Sequence, residues 1–239
     1  ARQGIVPQDN AYIRMSPKFT PKNDALVGMV HAAGAYASDP LQASIYRQSL
    51  LTRQIASRYT AFSGDNGGPQ TWGNPSSVQA LQANLAYTQT DPRVSDSVYA
   101  LIGNSMGGLV TLNHTAQATV KPQAIVCVIP VVNTQDIVTG DRGGYAYLVN
   151  DAYPGGYSDA VYGQTSNPFL LKDSSKLAGI PMLIIYGTKD TVCLPEYTEA
   201  FIQADSARHG VAMNYGHEYA LYNAVDHDLI VDFINQHIG

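Results

Sequence analysis

The chain has 239 residues, of which 45% are hydrophobic and 14% charged, and its formal net charge is −5. This length and apolar content are sufficient for one sizeable buried core. Because the sequence contains no run of lysine or arginine, it does not indicate a nucleic-acid partner or an anionic membrane surface. Since no apolar stretch approaches the roughly 20 residues that a membrane-spanning helix needs, we expect no transmembrane segment.

In the first part of the chain, short apolar runs alternate with amphipathic runs. Residues 24–35, DALVGMVHAAGA, predict a buried strand that ends in a turn of small residues, and residues 44–59 have helical spacing. A short strand over 59–68 runs into glycines. A helix is predicted over 74–90, with Pro75 in its first turn.

The same alternation continues to the end of the chain and predicts the fold class. Strands are predicted over 97–104, 121–132, 180–188 and 209–216, and helices over 106–119, 195–205 and 219–238. Strands and helices in this order predict an α/β fold, in which a mostly parallel central sheet is flanked by helices on both faces.

Residues 133–176 interrupt the alternation. The segment is rich in glycine and tyrosine and has no clear hydrophobic period. Because it is too long for an ordinary connection, we interpret it as an inserted lid or rim, whose tyrosines at 145–162 either line a substrate pocket or pack onto the body. No linker is evident, so we expect residues 1–239 to form one domain.

Residues 103–107, Gly-Asn-Ser-Met-Gly, lie between a predicted strand and a predicted helix. They match the G-x-S-x-G nucleophile elbow in the context that this motif requires. The serine of such an elbow takes a strained backbone conformation, and side chains in place of the glycines would collide with the strand and the helix. Ser105 is therefore the candidate nucleophile.

A serine hydroxyl needs a base to take its proton, and the chain has 6 histidines. His217 directly follows the last predicted strand, at the end of the sheet where a parallel α/β protein has its site. Asp190 follows the preceding strand at the same end, where it would fix the imidazole tautomer. The remaining histidines fit the role of base less well: His31 in an earlier turn, His114 on the helix after the serine, His209 at the opposite end of the sheet, His227 within the closing helix and His237 in the tail.

The sequence lacks the residues that metal-dependent or cofactor-dependent mechanisms would require. HEYAL at 217–221 opens like a zinc-protease motif, but Leu221 stands where the second histidine is needed. No phosphate-binding loop is present, and the spacing of Cys127 and Cys193 indicates neither a metal site nor a required disulfide. We therefore expect no metal and no cofactor.

The order Ser105, Asp190, His217 is the order of the α/β-hydrolases. With HAAGA, GNSMGG, YGTKD and YGHE at the corresponding places, residues 24–237 resemble an α/β-hydrolase-fold serine hydrolase of the esterase or lipase type. Two alternative assignments stay open: Asp190 as a helix cap, and Asp136 as the acid, because some members of the family place it there.

The resemblance also implies an oxyanion hole. Its donors are the backbone N–H groups of Met106 and Ala33, with Gly34 as the alternative because Ala32 stands where the family usually has glycine. His31 is then expected to support this turn, and Asp65 to order a glycine-rich turn at the pocket rim. The possible pocket residues are His31, Gly34, Asn104 and Trp72.

The implied activity is hydrolysis of a carboxylic ester through an acyl-enzyme, on a small-molecule or polymeric substrate. A lipid ester of a cell envelope, as cleaved by phage lysin-B-like esterases, is one specific option. The start ARQGIVPQDN, without methionine or signal-peptide core, favours an extracellular or virion-associated protein. The alternatives are a serine peptidase or amidase of the same fold, or a binding module without turnover.

Overall fold

The computed structural model describes residues 11–14, 24–38 and 48–239. Its strands are β1 (Ala11–Arg14), β2 (Asp24–Val30), β3 (Thr60–Gly64), β4 (Val94–Asn104), β5 (Ala124–Val128), β6 (Met182–Gly187) and β7 (Arg208–Met213). Its α-helices are α1 (Gln48–Ala56), α2 (Pro75–Thr88), α3 (Met106–Gln117), α4 (Thr134–Thr139), α5 (Ala146–Ala152), α6 (Asp159–Ser166), α7 (Pro195–Gln203), α8 (Tyr219–Ala224) and α9 (His227–Ile238).

The strands form one sheet in the order β1-β3-β2-β4-β5-β6-β7. β2 to β7 pair in parallel, and β1 pairs antiparallel with β3 at one edge. Because the carboxyl ends of the parallel strands meet at one edge of the sheet, the loops after β4, β6 and β7 come together there. The predicted fold class is confirmed, whereas strand β1 was not predicted from the sequence.

Alternate residues of the central strands pack on opposite faces of the sheet. In β4, Ile102 packs with Ile55 of α1 and Ile234 of α9, whereas Leu101 packs with Leu81 of α2. A sheet covered by helices on both sides requires apolar residues on both of its faces. Among the described residues, no helix is both long enough and apolar enough to span a membrane.

Two predicted helices differ from the structure in extent. The closing helix predicted over 219–238 is two helices, because the chain turns at Val225 and the Asp226 side chain accepts a hydrogen bond from the Asp228 N–H to cap α9. His227 is consequently the first residue of α9. Of the helix predicted over 44–59, residues 48–56 are helical and 44–47 lie outside the described part of the chain.

The segment 133–176 is more regular than its sequence suggests. It contains α4, α5 and α6, with 3-10 turns at Arg142–Gly144 and Pro168–Leu171. Val149, Tyr153 and Tyr157 are buried in a cluster that also contains Trp72 and Met106. The helices have 6 to 8 residues, too short to give a clear 3.6-residue period.

Candidate active site

Ser105 lies at the tip of the turn between β4 and α3, with φ of 50° and ψ of −114°. A non-glycine residue in this region costs of order 1–3 kcal/mol, so the surrounding structure must hold it there. The Ser105 N–H donates to the Val128 carbonyl at 2.9 Å, and its own carbonyl accepts from the Val131 N–H at 3.2 Å. The turn is thus fastened on both sides to β5 and the loop after it.

The two glycines of the motif are required by close approach of the backbone. A Cβ on Gly103 would lie 2.5 Å from the Gly107 carbonyl oxygen. A Cβ on Gly107 would collide with the carbonyl oxygens of Val30 and His31. These contacts are the collisions that the sequence analysis expected from the G-x-S-x-G pattern.

Ser105, His217 and Asp190 lie in a hydrogen-bonded line. Ser105 Oγ is 3.0 Å from His217 Nε2, and His217 Nδ1 is 2.8 Å from Asp190 Oδ2. With the proton on Nδ1, the ring donates to the carboxylate and leaves Nε2 free to accept the serine proton. The chemistry that this arrangement permits is nucleophilic attack by the serine with histidine as general base.

Asp190 is held rigidly for this contact. Its side chain is 1% exposed, and its Oδ1 accepts from the N–H groups of Val192 and Cys193, both at 2.8 Å. Helix α7 begins at Pro195, and its N-cap residue is Leu194, whose side chain makes no capping hydrogen bond. Asp190 therefore does not cap that helix. The alternative of Asp190 as a helix cap is wrong.

The loops that carry the acid and the histidine are joined by their backbones. The Thr188 N–H donates to the Met213 carbonyl at 2.8 Å, and the Lys189 N–H donates to the Tyr215 carbonyl at 2.9 Å. These bonds continue the pairing of β6 and β7 beyond the strand ends. The separation of Asp190 from His217 is consequently set by the sheet.

Two backbone donors lie at the residues named for the oxyanion hole. In the described part of the chain, neither the Met106 N–H nor the Ala33 N–H has an acceptor. The Gly34 N–H, in contrast, donates to the Pro69 carbonyl at 2.8 Å. Ala33 therefore has the free donor and Gly34 does not.

His31 and Asp65 fasten the turn that contains Ala33. His31 is 2% exposed, and its Nε2 lies 2.8 Å from the Asp65 carbonyl oxygen. The Asp65 side chain accepts from the Ala37 N–H at 2.6 Å. Both residues thus hold the 31–38 loop against the glycine-rich 64–68 loop.

The other candidate residues are paired or buried within the structure. Asp136 forms an ion pair with Arg142 at 3.1 Å. Trp72 is 1% exposed, and its ring packs on Tyr145 at a centroid distance of 5.0 Å, so it is a fully buried side chain. Asn104 is buried at the end of β4.

The contacts that connect the elbow to the inserted segment were not predicted from the sequence. The Trp72 N–H donates to Met106 Sδ at 3.3 Å, and the Tyr153 hydroxyl donates to the Trp72 carbonyl at 2.8 Å. No local pattern in the sequence relates residues so far apart. The hydrogen bonds from the N–H groups of Val192 and Cys193 to Asp190 were not predicted either. The available signal was an aspartate at the beginning of a turn.

Both cysteines are buried free thiols. Burial, with smaller contributions from the Asp190 and Asp136 carboxylates, raises the pKa of Cys193 well above its usual range. In the described part of the chain, one group of side chains has the composition and spacing of a metal site: Asp190, Cys193 and His217, with ligand atoms within 4.8 Å of one another.

No protein-family model and no curated protein matches the chain. Solved structures match it at low identity. An esterase of Pyrococcus furiosus is 17% identical at a TM-score of 0.67, with 91% of this chain and 85% of that chain covered. An S-formylglutathione hydrolase of Agrobacterium tumefaciens is 14% identical at a TM-score of 0.72, with 97% of this chain and 90% of that chain covered. A puromycin-hydrolyzing peptidase of Mycobacterium tuberculosis is 19% identical at 0.74, with 99% of this chain but 39% of that chain covered. The chain therefore has the α/β-hydrolase fold.

Proposed function

We propose that this protein is a serine hydrolase that cleaves carboxylic esters through an acyl-enzyme. The observation that carries the proposal is the line from Ser105 Oγ to His217 Nε2 at 3.0 Å and from His217 Nδ1 to Asp190 Oδ2 at 2.8 Å. The strained backbone of Ser105 supports it, because such strain is typical of functional positions.

In the proposed reaction, Ser105 Oγ attacks the ester carbonyl while His217 Nε2 takes its proton. The negative charge on the tetrahedral oxygen is stabilised by the N–H groups of Met106 and Ala33. His217 then returns the proton to the leaving alcohol, and Asp190 stabilises the imidazolium in between. Water hydrolyses the acyl-enzyme by the same steps, with His217 again as the base.

The likeness to an esterase supports an ester as the substrate, whereas the likeness to a peptidase supports an amide. The esterase and the formylglutathione hydrolase are covered over 85% and 90% of their length, but the peptidase over 39%. A peptidase or amidase is the second candidate.

We assign the segment 133–176 as a lid or rim over the substrate, within a single domain. Tyr147 at 70% exposed and Val161 at 71% exposed give it apolar surface. Such surface suits an acyl chain or an ester-bearing polymer better than a charged metabolite. A cell-envelope ester, in an extracellular or virion setting, is the specific form of this proposal.

Labelling with a fluorophosphonate probe tests the catalytic proposal. We expect the native protein to be labelled at one serine, and Ser105→Ala to lose both the label and ester hydrolysis by at least about 10⁴-fold. Ser57→Ala is the matched control, since Ser57 is an exposed serine at the end of α1. If the native protein is not labelled while a known hydrolase is, the chain is a binding module and the proposal is wrong.

A substrate panel tests the ester proposal separately. p-Nitrophenyl esters of increasing acyl length are compared with the p-nitroanilide of the same acyl group. We expect turnover of the esters and no comparable turnover of the anilide. Faster turnover of the anilide would identify a peptidase or amidase.

A further inference from the structure

We infer that Asp190, Cys193 and His217 form a binding site for a thiophilic divalent cation such as Zn²⁺ or Cd²⁺, and that its occupation stops hydrolysis. The binding itself does not depend on the proposed function, whereas the inhibition does. The proposed catalytic line uses the carboxylate and the imidazole but has no use for the Cys193 thiol.

The geometry brings three different ligand types to one place. A carboxylate oxygen of Asp190, the sulfur of Cys193 and a ring nitrogen of His217 all lie within 4.8 Å of one another. The nitrogen that faces the carboxylate is Nδ1, at 2.8 Å. The Cys193 backbone is fixed to the same carboxylate, because its N–H donates to Asp190 Oδ1.

The ligand set determines which cation fits. Zinc is bound by thiolate at about 2.3 Å, by imidazole at about 2.0–2.1 Å and by carboxylate at about 2.0–2.2 Å. Thiolate selects soft cations, whereas Mg²⁺ and Ca²⁺ prefer oxygen ligands alone. One thiolate and one carboxylate also neutralise a divalent charge, as a buried site requires.

A small cavity lies beside the cysteine. Cys193 lines a small cavity with Asn133, Asp136, Val192 and Tyr197, of about 10 Å³. This is the space of a single water molecule. Zinc prefers four ligands, so a water molecule would be needed beside the three side chains.

Binding would stop the reaction through the histidine tautomer. The cation forms bonds to His217 Nδ1, to the Cys193 sulfur and to a carboxylate oxygen of Asp190. The thiol proton goes to solvent, and the proton of the neutral imidazole moves from Nδ1 to Nε2, by way of solvent. With a proton on Nε2, the ring can no longer accept one from Ser105.

Titration with Cd²⁺ tests the binding without reference to activity. We expect one Cd²⁺ per chain in equilibrium dialysis, with the ultraviolet charge-transfer absorption of a cadmium–thiolate bond. Cys193→Ser and Cys193→Ala should lose the absorption and bind at least about tenfold more weakly. Cys127→Ala, which removes the other buried thiol, should keep both signals. A native protein without the absorption, or the same absorption in both Cys193 variants, overturns the site.

Inhibition of ester hydrolysis tests the consequence. Zn²⁺ should inhibit the native enzyme and a chelator should restore it, while Mg²⁺ has no effect. Measured against its own metal-free rate, Cys193→Ser should need at least about tenfold more Zn²⁺ than the native enzyme for the same fractional inhibition. If the cadmium absorption is present but Zn²⁺ inhibits native and variant enzymes equally, the inhibitory role is wrong although the site exists. If no ester is hydrolysed, the proposed function fails and the Cd²⁺ titration still decides the site.

Discussion

The relay region and the inserted segment are held together in different ways. The relay region comprises the elbow, α3 and the loops with Asp190 and His217, and every residue of α3 from Met106 to Ala116 is buried. The inserted segment, 133–176, has short helices and side chains as exposed as Tyr147. The relay region is fixed by backbone contacts at the edge of a parallel sheet. The inserted segment is held mainly by its side chains.

The difference teaches which kinds of structure are encoded locally. At the elbow, glycines at 103 and 107 are required because carbonyl oxygens lie where their Cβ atoms would be. In the inserted segment, the links to the body are long-range hydrogen bonds, such as that from the Asn74 side chain to the Ala152 carbonyl at 2.8 Å. Only the first kind of constraint is visible in a short stretch of sequence.

The two regions each contain a buried or nearly buried aspartate, and only that of the relay region should matter for catalysis. Asp190→Asn should lower kcat by about 10⁴-fold, because an amide NH₂ facing His217 Nδ1 favours the wrong imidazole tautomer. The amide oxygen can still accept from Val192 and Cys193, so the fold should persist. Steady-state kinetics on an activated ester measure this effect.

Asp136→Asn is the matched change in the inserted segment. It weakens the ion pair with Arg142, whose side chain is 32% exposed, so the loss of stability should be at most about 1 kcal/mol. We expect kcat to be unchanged. A large loss of kcat in Asp136→Asn with little loss in Asp190→Asn would reverse the assignment of the acid.

Glycine substitutions compare the backbone constraints directly. Gly107→Ala should reduce the free energy of unfolding by more than about 4 kcal/mol or prevent folding, because its Cβ would collide with the backbone oxygens of Val30 and His31. Gly155→Ala should cost only about 1–2 kcal/mol, since Gly155 has φ of 80° but no atom within 4 Å of its Cβ position. Urea denaturation measures both, and similar losses in the two variants would contradict the contrast.

Sequence reasoning was sufficient for the elbow and for the ends of the parallel strands, because both follow from local pattern. The period of alternating strands and helices predicted the sheet, and chain order then brought Asp190 and His217 to the same edge. The antiparallel β1 was missed because 11–14 is short and joins an edge. The break at Asp226 was missed because α8 and α9 share an apolar pattern that reads as one helix.

The burial of His114 in α3 should lower the stability of the protein at acidic pH. Burial, reinforced by the charge of Lys121, lowers the pKa of His114 to about 4. In the unfolded chain the imidazole has a pKa of about 6.5, so between these values only the unfolded state binds the proton. The free energy of unfolding should therefore fall as the pH decreases through this window, by about 2 kcal/mol between pH 7 and pH 5.

Urea denaturation of His114→Gln at pH 7 and pH 5 isolates this contribution. The variant should lose about 2 kcal/mol less than the native protein on acidification, because it has no imidazole to protonate. His209→Gln removes an exposed histidine and should behave as the native protein does. An unchanged pH dependence in His114→Gln would contradict the assigned burial cost.

The last comparison concerns the hydrogen bond by which the inserted segment reaches the elbow. Tyr153→Phe removes the hydroxyl that donates to the Trp72 carbonyl at 2.8 Å and leaves that buried acceptor unpaired. The expected loss of unfolding free energy is about 1–3 kcal/mol. Tyr147→Phe is the matched control, because Tyr147 is 70% exposed and its substitution should cause no measurable loss of stability.

The Trp72 N–H donates to Met106 Sδ, so the same variant can also be tested by kinetics. A fall in kcat of Tyr153→Phe beyond its effect on KM would show that the segment also positions the Met106 N–H. An unaltered kcat would limit the role of Tyr153 to stability.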